Sequence, residues 1–251
     1  MISKQRMKIV STNQIAKDTI EMVLKNSYIS ENAIPGQFIH ILVEGHTLRR
    51  PISIADVDKD NETVTILFKK LGSGTEKLSE SKAGDFLNVL GPSGNGFETS
   101  TEGLHTVLLI GGGIGVPPMY YLGKSLAKQN IHVISVLGFQ SKDHVFYEEK
   151  FQQFSKTYVV TNDGSYGDKG FVTSVIPNVG EFDRYYSCGP LPMLKAITNE
   201  LSEKEGFISL EERMGCGVGA CFACVVPTNT EKGYKKICSD GPVFAAREVI
   251  L

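Results

Sequence analysis

Residues 107–119 read VLLIGGGIGVPPM, and this run sets the expected architecture of the middle of the chain. Its first four residues are apolar without alternation, which predicts a strand buried on both faces of a sheet. The glycines permit a tight turn, and the two prolines open a helix expected over residues 117–128. A glycine turn before a helix lets a pyrophosphate approach free backbone N–H groups. The spacing departs from the dinucleotide fingerprint Gly-x-Gly-x-x-Gly, so a tight turn without a ligand remains an alternative.

Two further apolar runs, residues 132–137 and 158–161, follow after helix-like stretches. Strands that alternate with helices predict a parallel sheet with helices on its faces. The pattern begins near residues 97–103, and residues 98–103 are the expected linker.

Before that boundary, the hydrophobic pattern has a period of two. Ile20, Met22 and Leu24 alternate with polar neighbours, and residues 63–69 repeat the alternation. Glycine and proline recur between such runs and indicate short antiparallel strands. We therefore expect an N-terminal antiparallel β barrel.

The composition of the 251 residues excludes several classes of protein. A formal net charge of −2 gives no reason to expect a nucleic acid or an anionic lipid as a partner. No run approaches the roughly 18 apolar residues of a membrane span, and the first ten residues lack the apolar segment of a signal peptide. We expect a cytoplasmic protein, with no membrane association, whose partners are small ligands and another protein.

Four of the five cysteines form a ligand pattern. Cys216, Cys221 and Cys224 have the spacing Cys-x4-Cys-x2-Cys, and Cys238 follows. This is the plant-type spacing of a [2Fe-2S] cluster. Structural zinc also takes four thiolates, but usually from two Cys-x2-Cys pairs, of which the chain has one. Cys188 stands apart, and we interpret it as a strand-end residue near a dinucleotide.

The sequence Arg50-Pro51-Ile52-Ser53 closes a strand of the predicted barrel and suits a flavin nucleotide. The guanidinium can bind a pyrophosphate, and the serine hydroxyl can hydrogen-bond the edge of the flavin ring. Such a tetrapeptide also occurs by chance. It gains support from residues 67–69 on a later strand and from residues 72–75, whose backbone N–H groups can bind phosphate before a short helix.

Together these motifs resemble the ferredoxin-NADP reductase superfamily, whose barrel binds FAD and whose α/β domain binds a nicotinamide nucleotide. The resemblance assigns to FAD the residues Arg50, Pro51, Ile52, Ser53, Leu67, Phe68, Lys69, Gly74 and Thr75. It assigns to the nicotinamide nucleotide the residues Gly111, Gly112, Gly113, Gly115, Thr161, Asp163, Gly164, Cys188, Gly189 and Pro190. Residues 138–143 contain no arginine for a 2′-phosphate, which favours NAD over NADP, although Lys142 leaves that choice open.

The C-terminal residues 211–224 and 238–244 are similar to the electron-transfer subunits of NAD-dependent dihydroorotate dehydrogenases, and the similarity covers the whole chain. It implies FAD and one [2Fe-2S] cluster as cofactors and NAD as co-substrate. It also implies an FMN-containing catalytic subunit as partner, in a heterotetramer of two subunits of each kind. The expected role is electron transfer to NAD+ in pyrimidine (UMP) biosynthesis, with no acid–base catalytic residue in this chain.

Two alternatives remain at this point. The same flavin module can serve another partner, as a subunit of a ferredoxin-NADP oxidoreductase, a sulfide dehydrogenase or a hydrogenase complex. A more distant alternative is a binding module without redox chemistry, whose cysteines hold zinc.

The expected organisation has three parts. Residues 1–100 form the FAD-binding barrel, residues 101–209 the Rossmann-like NAD-binding domain with a parallel sheet, and residues 210–251 the short [2Fe-2S] lobe. The polar residues 228–236 of that lobe are the expected tip of a hairpin. The lobe is too short for its own core and must pack on the rest or be held by a metal centre.

Overall fold

The computed structural model describes residues 2–251, so Met1, the first residue of the predicted barrel domain, lies outside the described residues. Its N-terminal part is a closed barrel of six antiparallel strands in the order β1-β2-β5-β4-β3-β6. The strands are β1 (Ser3–Ala16), β2 (Thr19–Lys25), β3 (Phe38–Leu42), β4 (Arg50–Asp58), β5 (Thr63–Lys69) and β6 (Phe86–Ser93). Two short helices, α1 (Ser27–Asn32) and α2 (Ser73–Ser79), lie in the connections.

The barrel interior follows from the period-two pattern. Strands β2 and β5 pair with Met22 opposite Ile66 and Leu24 opposite Val64, and all four side chains are fully buried. Successive strand residues point to opposite faces, so the two alternating runs share one inner layer.

The second sheet has a parallel core built from strands that alternate with helices. These elements are β7 (Thr106–Gly112), α3 (Val116–Ala127), β8 (His132–Phe139), α4 (Glu148–Gln152), β9 (Ser155–Thr161), β10 (Asp168–Lys169), β11 (Arg184–Cys188), α5 (Leu191–Glu200) and β12 (Glu205–Ser209). The helix predicted over residues 117–128 is α3, and the three apolar runs lie within β7, β8 and β9.

The C-terminal segment is partly built into this sheet. A hairpin of β13 (Val225–Pro227) and β14 (Tyr234–Lys236) includes the predicted polar tip. The last strand, β15 (Val243–Ala245), then pairs antiparallel with β12, with Val243 opposite Ser209. The complete sheet order is β10-β9-β8-β7-β11-β12-β15, and the expected combination of an antiparallel barrel with a parallel sheet is confirmed.

Helix α3 joins the barrel to the sheet. The Tyr121 hydroxyl donates a hydrogen bond to the carbonyl oxygen of Ala33 at 2.9 Å, and Lys124 forms an ion pair with Asp56 of β4. Parallel strands place their carboxyl ends at one edge, which is where ligands bind in such sheets. Among residues 2–251, no helix is long and apolar enough to cross a membrane.

Candidate functional site

A cavity of about 380 Å³ lies between the barrel, the carboxyl edge of the parallel sheet and the segment after β12. Its volume is within the range of small-molecule sites. Seven of the nine residues predicted to bind FAD line it, namely Pro51, Ile52, Ser53, Leu67, Phe68, Lys69 and Thr75. The structure therefore brings the two barrel strands and the following turn to one concave surface.

Arg50 and Gly74, the other two predicted residues, meet beside this cavity. A Cβ atom on Gly74 would lie 2.3 Å from Nε and Nη2 of Arg50, so the guanidinium packs directly on the glycine backbone. The Thr75 hydroxyl accepts a hydrogen bond from the Leu71 amide at 3.0 Å and donates one to the Gly72 carbonyl at 3.1 Å. A positive charge is thus held against a turn that begins a helix, an arrangement that suits a phosphate group.

The glycine turn after β7 packs tightly on the segment that ends β11. A Cβ atom on Gly115 would lie 2.2 Å from the Cys188 carbonyl oxygen, and one on Gly112 would lie 3.1 Å from Cδ of Pro190. A Cβ atom on Gly189 would in turn lie 3.1 Å from Cα of Gly112. The two predicted nucleotide motifs are therefore adjacent, and glycine is required where they touch.

The barrel site and the glycine turn also approach each other. Nζ of Lys69 lies 3.6 Å from the position of a Cβ atom on Gly113, and Ile114 lines the cavity. Burial lowers the pKa of Lys69, while the charge of Asp18 opposes that shift. The two predicted nucleotide sites thus share a boundary.

Thr161, Asp163 and Gly164 occupy a turn at the carboxyl end of β9. The buried Thr161 hydroxyl donates to the Tyr166 carbonyl oxygen at 2.6 Å, and the Asp163 carboxylate accepts hydrogen bonds from the amide and hydroxyl of Ser165 at 3.0 and 2.6 Å. These bonds from Ser165 lower the pKa of Asp163. The contacts shape the turn, and the assignment of its residues to the nucleotide stays a prediction.

Cys188 has a partner that the sequence did not indicate. Its thiol lies 3.8 Å from Oε1 of Glu211, a residue of the cavity wall. Cys188 is completely buried, and burial, together with the charge of Glu211, raises the pKa of its thiol. No spacing rule links residues so far apart in sequence, so only the pairing of β11 with β12 brings them together.

The four cysteines of the C-terminal lobe interact with one another. The amide of Cys221 donates to Sγ of Cys216 at 3.3 Å, and the thiol of Cys238 interacts with those of Cys224 and Cys216. Further amides point at the sulfurs, from Val218 to Cys216 at 3.4 Å and from Gly219 to Cys238 at 3.2 Å. Inward-pointing N–H groups of this kind stabilise thiolates and tune iron–sulfur clusters.

The four cysteine thiols of this lobe fit a two-iron cluster. Each iron of a [2Fe-2S] cluster takes two thiolates, and amide N–H groups already point at the sulfurs of Cys216 and Cys238. The donor set and these N–H groups match the cluster chemistry.

His40 lies beside this cysteine loop. Its side chain is completely buried on β3, and a Cβ atom on Gly217 would lie 2.1 Å from Nδ1 of the ring. Burial and the charges of Arg49 and Arg50 lower the pKa of His40 to about 4, and a contact with the Arg49 backbone opposes this shift. The imidazole is therefore uncharged at neutral pH. His40 belongs to none of the sequence motifs described above.

The barrel, the nucleotide edge and the cysteine lobe together define a ferredoxin-reductase-type flavoprotein with an iron–sulfur extension. The model of the iron-sulfur cluster binding domain of dihydroorotate dehydrogenase B matches residues 211–250. Proteins named dihydroorotate dehydrogenase B (NAD(+)), electron transfer subunit, from Bacillus mycoides and Bacillus anthracis are each 51% identical to this chain, over 100% of both chains. This chain belongs to that family, and the resemblance read from its motifs is confirmed.

Solved structures agree with this fold. A structure of an NADH-dependent reduced ferredoxin-NADP oxidoreductase superposes with a TM-score of 0.89 at 31% identity, covering 97% of this chain and 89% of that one. The cytochrome P450 reductase of Amycolatopsis shares the fold alone, with a TM-score of 0.69 at 18% identity over 80% of this chain and 66% of that chain.

Proposed function

We propose that this chain carries electrons from a dihydroorotate-oxidising subunit through a [2Fe-2S] cluster and FAD to NAD+, in pyrimidine (UMP) biosynthesis. One spatial relationship carries the proposal. The cavity formed by barrel residues such as Ser53 is also lined by Met214 and Pro242, which lie close in sequence to Cys216 and Cys238. The flavin cavity and the cysteine lobe are therefore neighbours. Full-length identity of 51% with electron transfer subunits supports the same function.

When bound, the flavin links two kinds of chemistry, because NAD exchanges a hydride whereas the cluster exchanges single electrons. Arg50 would supply positive charge to the pyrophosphate, and Gly74 leaves room for the Arg50 guanidinium. Ser53 provides a hydroxyl to the ring edge from the cavity wall. We assign to FAD Arg50, Pro51, Ile52, Ser53, Leu67, Phe68, Lys69, Gly74 and Thr75.

We assign NAD to the carboxyl edge of the parallel sheet. The contact between Gly115 and Cys188 supports this assignment, because it brings the glycine turn and the end of β11 together at that edge, where ligands bind in such sheets. The assigned residues are Gly111, Gly112, Gly113, Gly115, Thr161, Asp163, Gly164, Cys188, Gly189 and Pro190.

We assign the cluster to Cys216, Cys221, Cys224 and Cys238. The N–H groups directed at Cys216 and Cys238 supply the hydrogen bonds that cluster sulfurs accept. We therefore divide the chain into a barrel over residues 1–100, a nucleotide domain over residues 101–209 and a cluster lobe over residues 210–251.

The partner is an FMN-containing catalytic subunit, in a heterotetramer of two subunits of each kind. The cysteine loop exposes Val218 and Phe222, at 46% and 63% of their surface, and we assign this face to the partner. An exposed apolar patch beside a redox centre suits protein docking. We place the complex in the cytoplasm, without a nucleic acid or a membrane as partner.

A second candidate function is a reductase subunit for a ferredoxin-type or another redox partner. The structural match at 31% identity to a ferredoxin-NADP oxidoreductase favours it. The identity of 51% with the dihydroorotate dehydrogenase subunits favours the first candidate.

Anaerobic co-purification with the candidate catalytic subunit tests the proposal. The complex is expected to contain FAD, FMN, iron and acid-labile sulfide, and to reduce NAD+ with dihydroorotate. This chain alone is expected to oxidise NADH with an artificial acceptor and to leave dihydroorotate unchanged. A chain that carries zinc and no flavin, or that oxidises dihydroorotate by itself, contradicts the proposal.

A further inference from the structure

Strand β3 turns two aromatic side chains towards the C-terminal lobe. Phe38 and His40 lie on the same face of the strand, because successive residues alternate, and their ring centroids are 6.4 Å apart at an angle of 80°. Phe38 lines the flavin cavity. His40 pairs with Pro51, another residue of that cavity, across the ladder between β3 and β4.

These two side chains approach both segments that carry cluster ligands. Phe38 and Pro242 meet at Gly94, where a Cβ atom would lie 3.0 Å from Cε1 of Phe38 and 2.5 Å from Cδ of Pro242. His40 faces Gly217, which directly follows Cys216, through its Nδ1 atom. The outer face of β3 therefore lies between the flavin cavity and the cysteine loop.

The polar atoms of His40 are unusual for this environment. The side chain is completely buried, and neither ring nitrogen has a hydrogen bond of normal geometry to any of residues 2–251. An uncharged imidazole has one N–H donor and one acceptor nitrogen. Buried polar groups are nearly always paired. The ring contacts the Arg49 backbone, and its Nδ1 atom faces Gly217.

We propose that His40 is a positioning residue that donates a hydrogen bond from Nδ1 to a sulfur atom at the cluster and fixes the Cys216–Gly217 turn against the barrel. The proposal rests on the assignment of the four cysteines to a [2Fe-2S] cluster. Hydrogen bonds to cluster sulfurs stabilise the more negative, reduced form and raise the reduction potential. His40 therefore sets the potential of the cluster on the side that faces the flavin.

Three variants of the intact complex test this role. His40→Leu removes the donor, His40→Gln keeps an amide donor, and His132→Leu changes an exposed histidine at the start of β8 as a control. The measurements are an EPR-monitored redox titration of the cluster, the g-values of its reduced form, and iron, sulfide and flavin contents. Pulsed EPR of protein with ¹⁵N-labelled histidine reports a nitrogen near the reduced cluster.

We expect His40→Leu to lower the potential and remove the nitrogen coupling, while His40→Gln lies closer to the wild type and His132→Leu matches it. An unchanged potential in a fully loaded His40→Leu variant overturns the proposal. If His40→Leu loses its cluster, the His40→Gln variant shows whether a hydrogen-bond donor is needed at this position. Restored iron and wild-type g-values support the donor, and continued loss of the cluster overturns it. If instead the wild-type protein contains no iron or sulfide, the assignment of the four cysteines to a [2Fe-2S] cluster is wrong.

Discussion

The hydroxyl of Tyr147 donates a hydrogen bond to the carboxylate of Glu21, across the junction between the parallel-sheet domain and the barrel. Nζ of Lys150 reaches the same carboxylate at 2.9 Å. Tyr147 is buried, and burial together with Glu21 strongly raises the pKa of its hydroxyl, so it remains a donor at any ordinary pH. This contact joins the start of α4 to β2. It is separate from the contacts that α3 makes with the barrel.

We expect Tyr147→Phe to lower the free energy of unfolding by about 1.5 to 3 kcal/mol, the usual range for a hydrogen bond to a charged group. Denaturant unfolding of the FAD-loaded chain measures this change. Tyr166→Phe is the control, because the Tyr166 hydroxyl also donates to a carboxylate, that of Glu148, but on an exposed surface. Similar losses in both variants contradict the interpretation.

Gly217→Ala is expected to prevent assembly of the cluster, because its methyl group meets the buried ring of His40. Gly233→Ala is a matched control. Both glycines have left-handed backbone angles, with φ of +69° and +74°, but a Cβ atom at Gly233 has nothing within 4 Å among the described residues. Iron and acid-labile sulfide per chain should fall sharply only in Gly217→Ala, with FAD retained in both. An equal loss of iron from both variants would show that strain, rather than the contact with His40, decides assembly, and full iron in Gly217→Ala contradicts the prediction.

Cys221→Ser is expected to abolish the cluster and electron passage to the partner, yet to leave FAD bound, because the residues assigned to FAD lie in the barrel domain and no cysteine of the cluster lines the cavity. Oxidation of NADH with an artificial acceptor should persist. Cys188→Ser serves as the control for iron content, since Cys188 is the last residue of β11 and lies outside the cysteine-rich segment in sequence. Loss of both cofactors from Cys221→Ser is the contrary outcome.

Gly115→Ala is expected to raise the KM for NADH roughly tenfold, equivalent to about 1.4 kcal/mol of lost binding. A methyl group there meets the backbone of Cys188 and Gly189 and separates the two motifs. Gly103→Ala is a strict control, because φ is +73° there but no described atom lies within 4 Å of a Cβ. Steady-state kinetics with FAD-saturated protein measure the change, and a KM that rises equally in both variants counts against the assigned NAD site.

Asp183 gives a prediction with a defined pH dependence. Its carboxylate accepts hydrogen bonds from the amides of Thr106 and His105, at 2.8 and 2.7 Å, and these lower its pKa. A carboxylate whose pKa is lower in the folded protein stabilises the fold at pH values above its pKa in the unfolded chain. This stability is lost as the pH falls through the pKa of the folded protein. Asp183→Asn should therefore lower the Tm at pH 7, and the difference should shrink below about pH 4. A difference that persists at acid pH contradicts this origin.

Local patterns in the sequence were enough for the main architecture. The alternation around Met22 and the unbroken apolar run of β7 each report the environment of a single strand, so they predicted the barrel and the parallel sheet. The cysteine spacing predicted the loop, because three of the four cysteines lie within one short segment. These signals come from residues that are close in sequence, so they can be interpreted without knowledge of tertiary contacts.

The relationships between elements could not be read in the same way. The approach of Glu211 to Cys188 depends on the pairing of β12 with β11, and the burial of His40 depends on a loop far away in the chain. One signal was present, since Phe38 and Leu42 are apolar residues on the same face of β3 as His40. Apolar residues on both faces of a strand indicate a covered outer face, without indicating what covers it.

The pairing of Ser209 with Val243 has a consequence for how the protein matures. The cysteine-bearing segment leaves the sheet at one strand and returns on the adjacent strand, so both of its ends are anchored by backbone hydrogen bonds. Insertion of iron can then proceed as a late, local rearrangement of an already folded polypeptide.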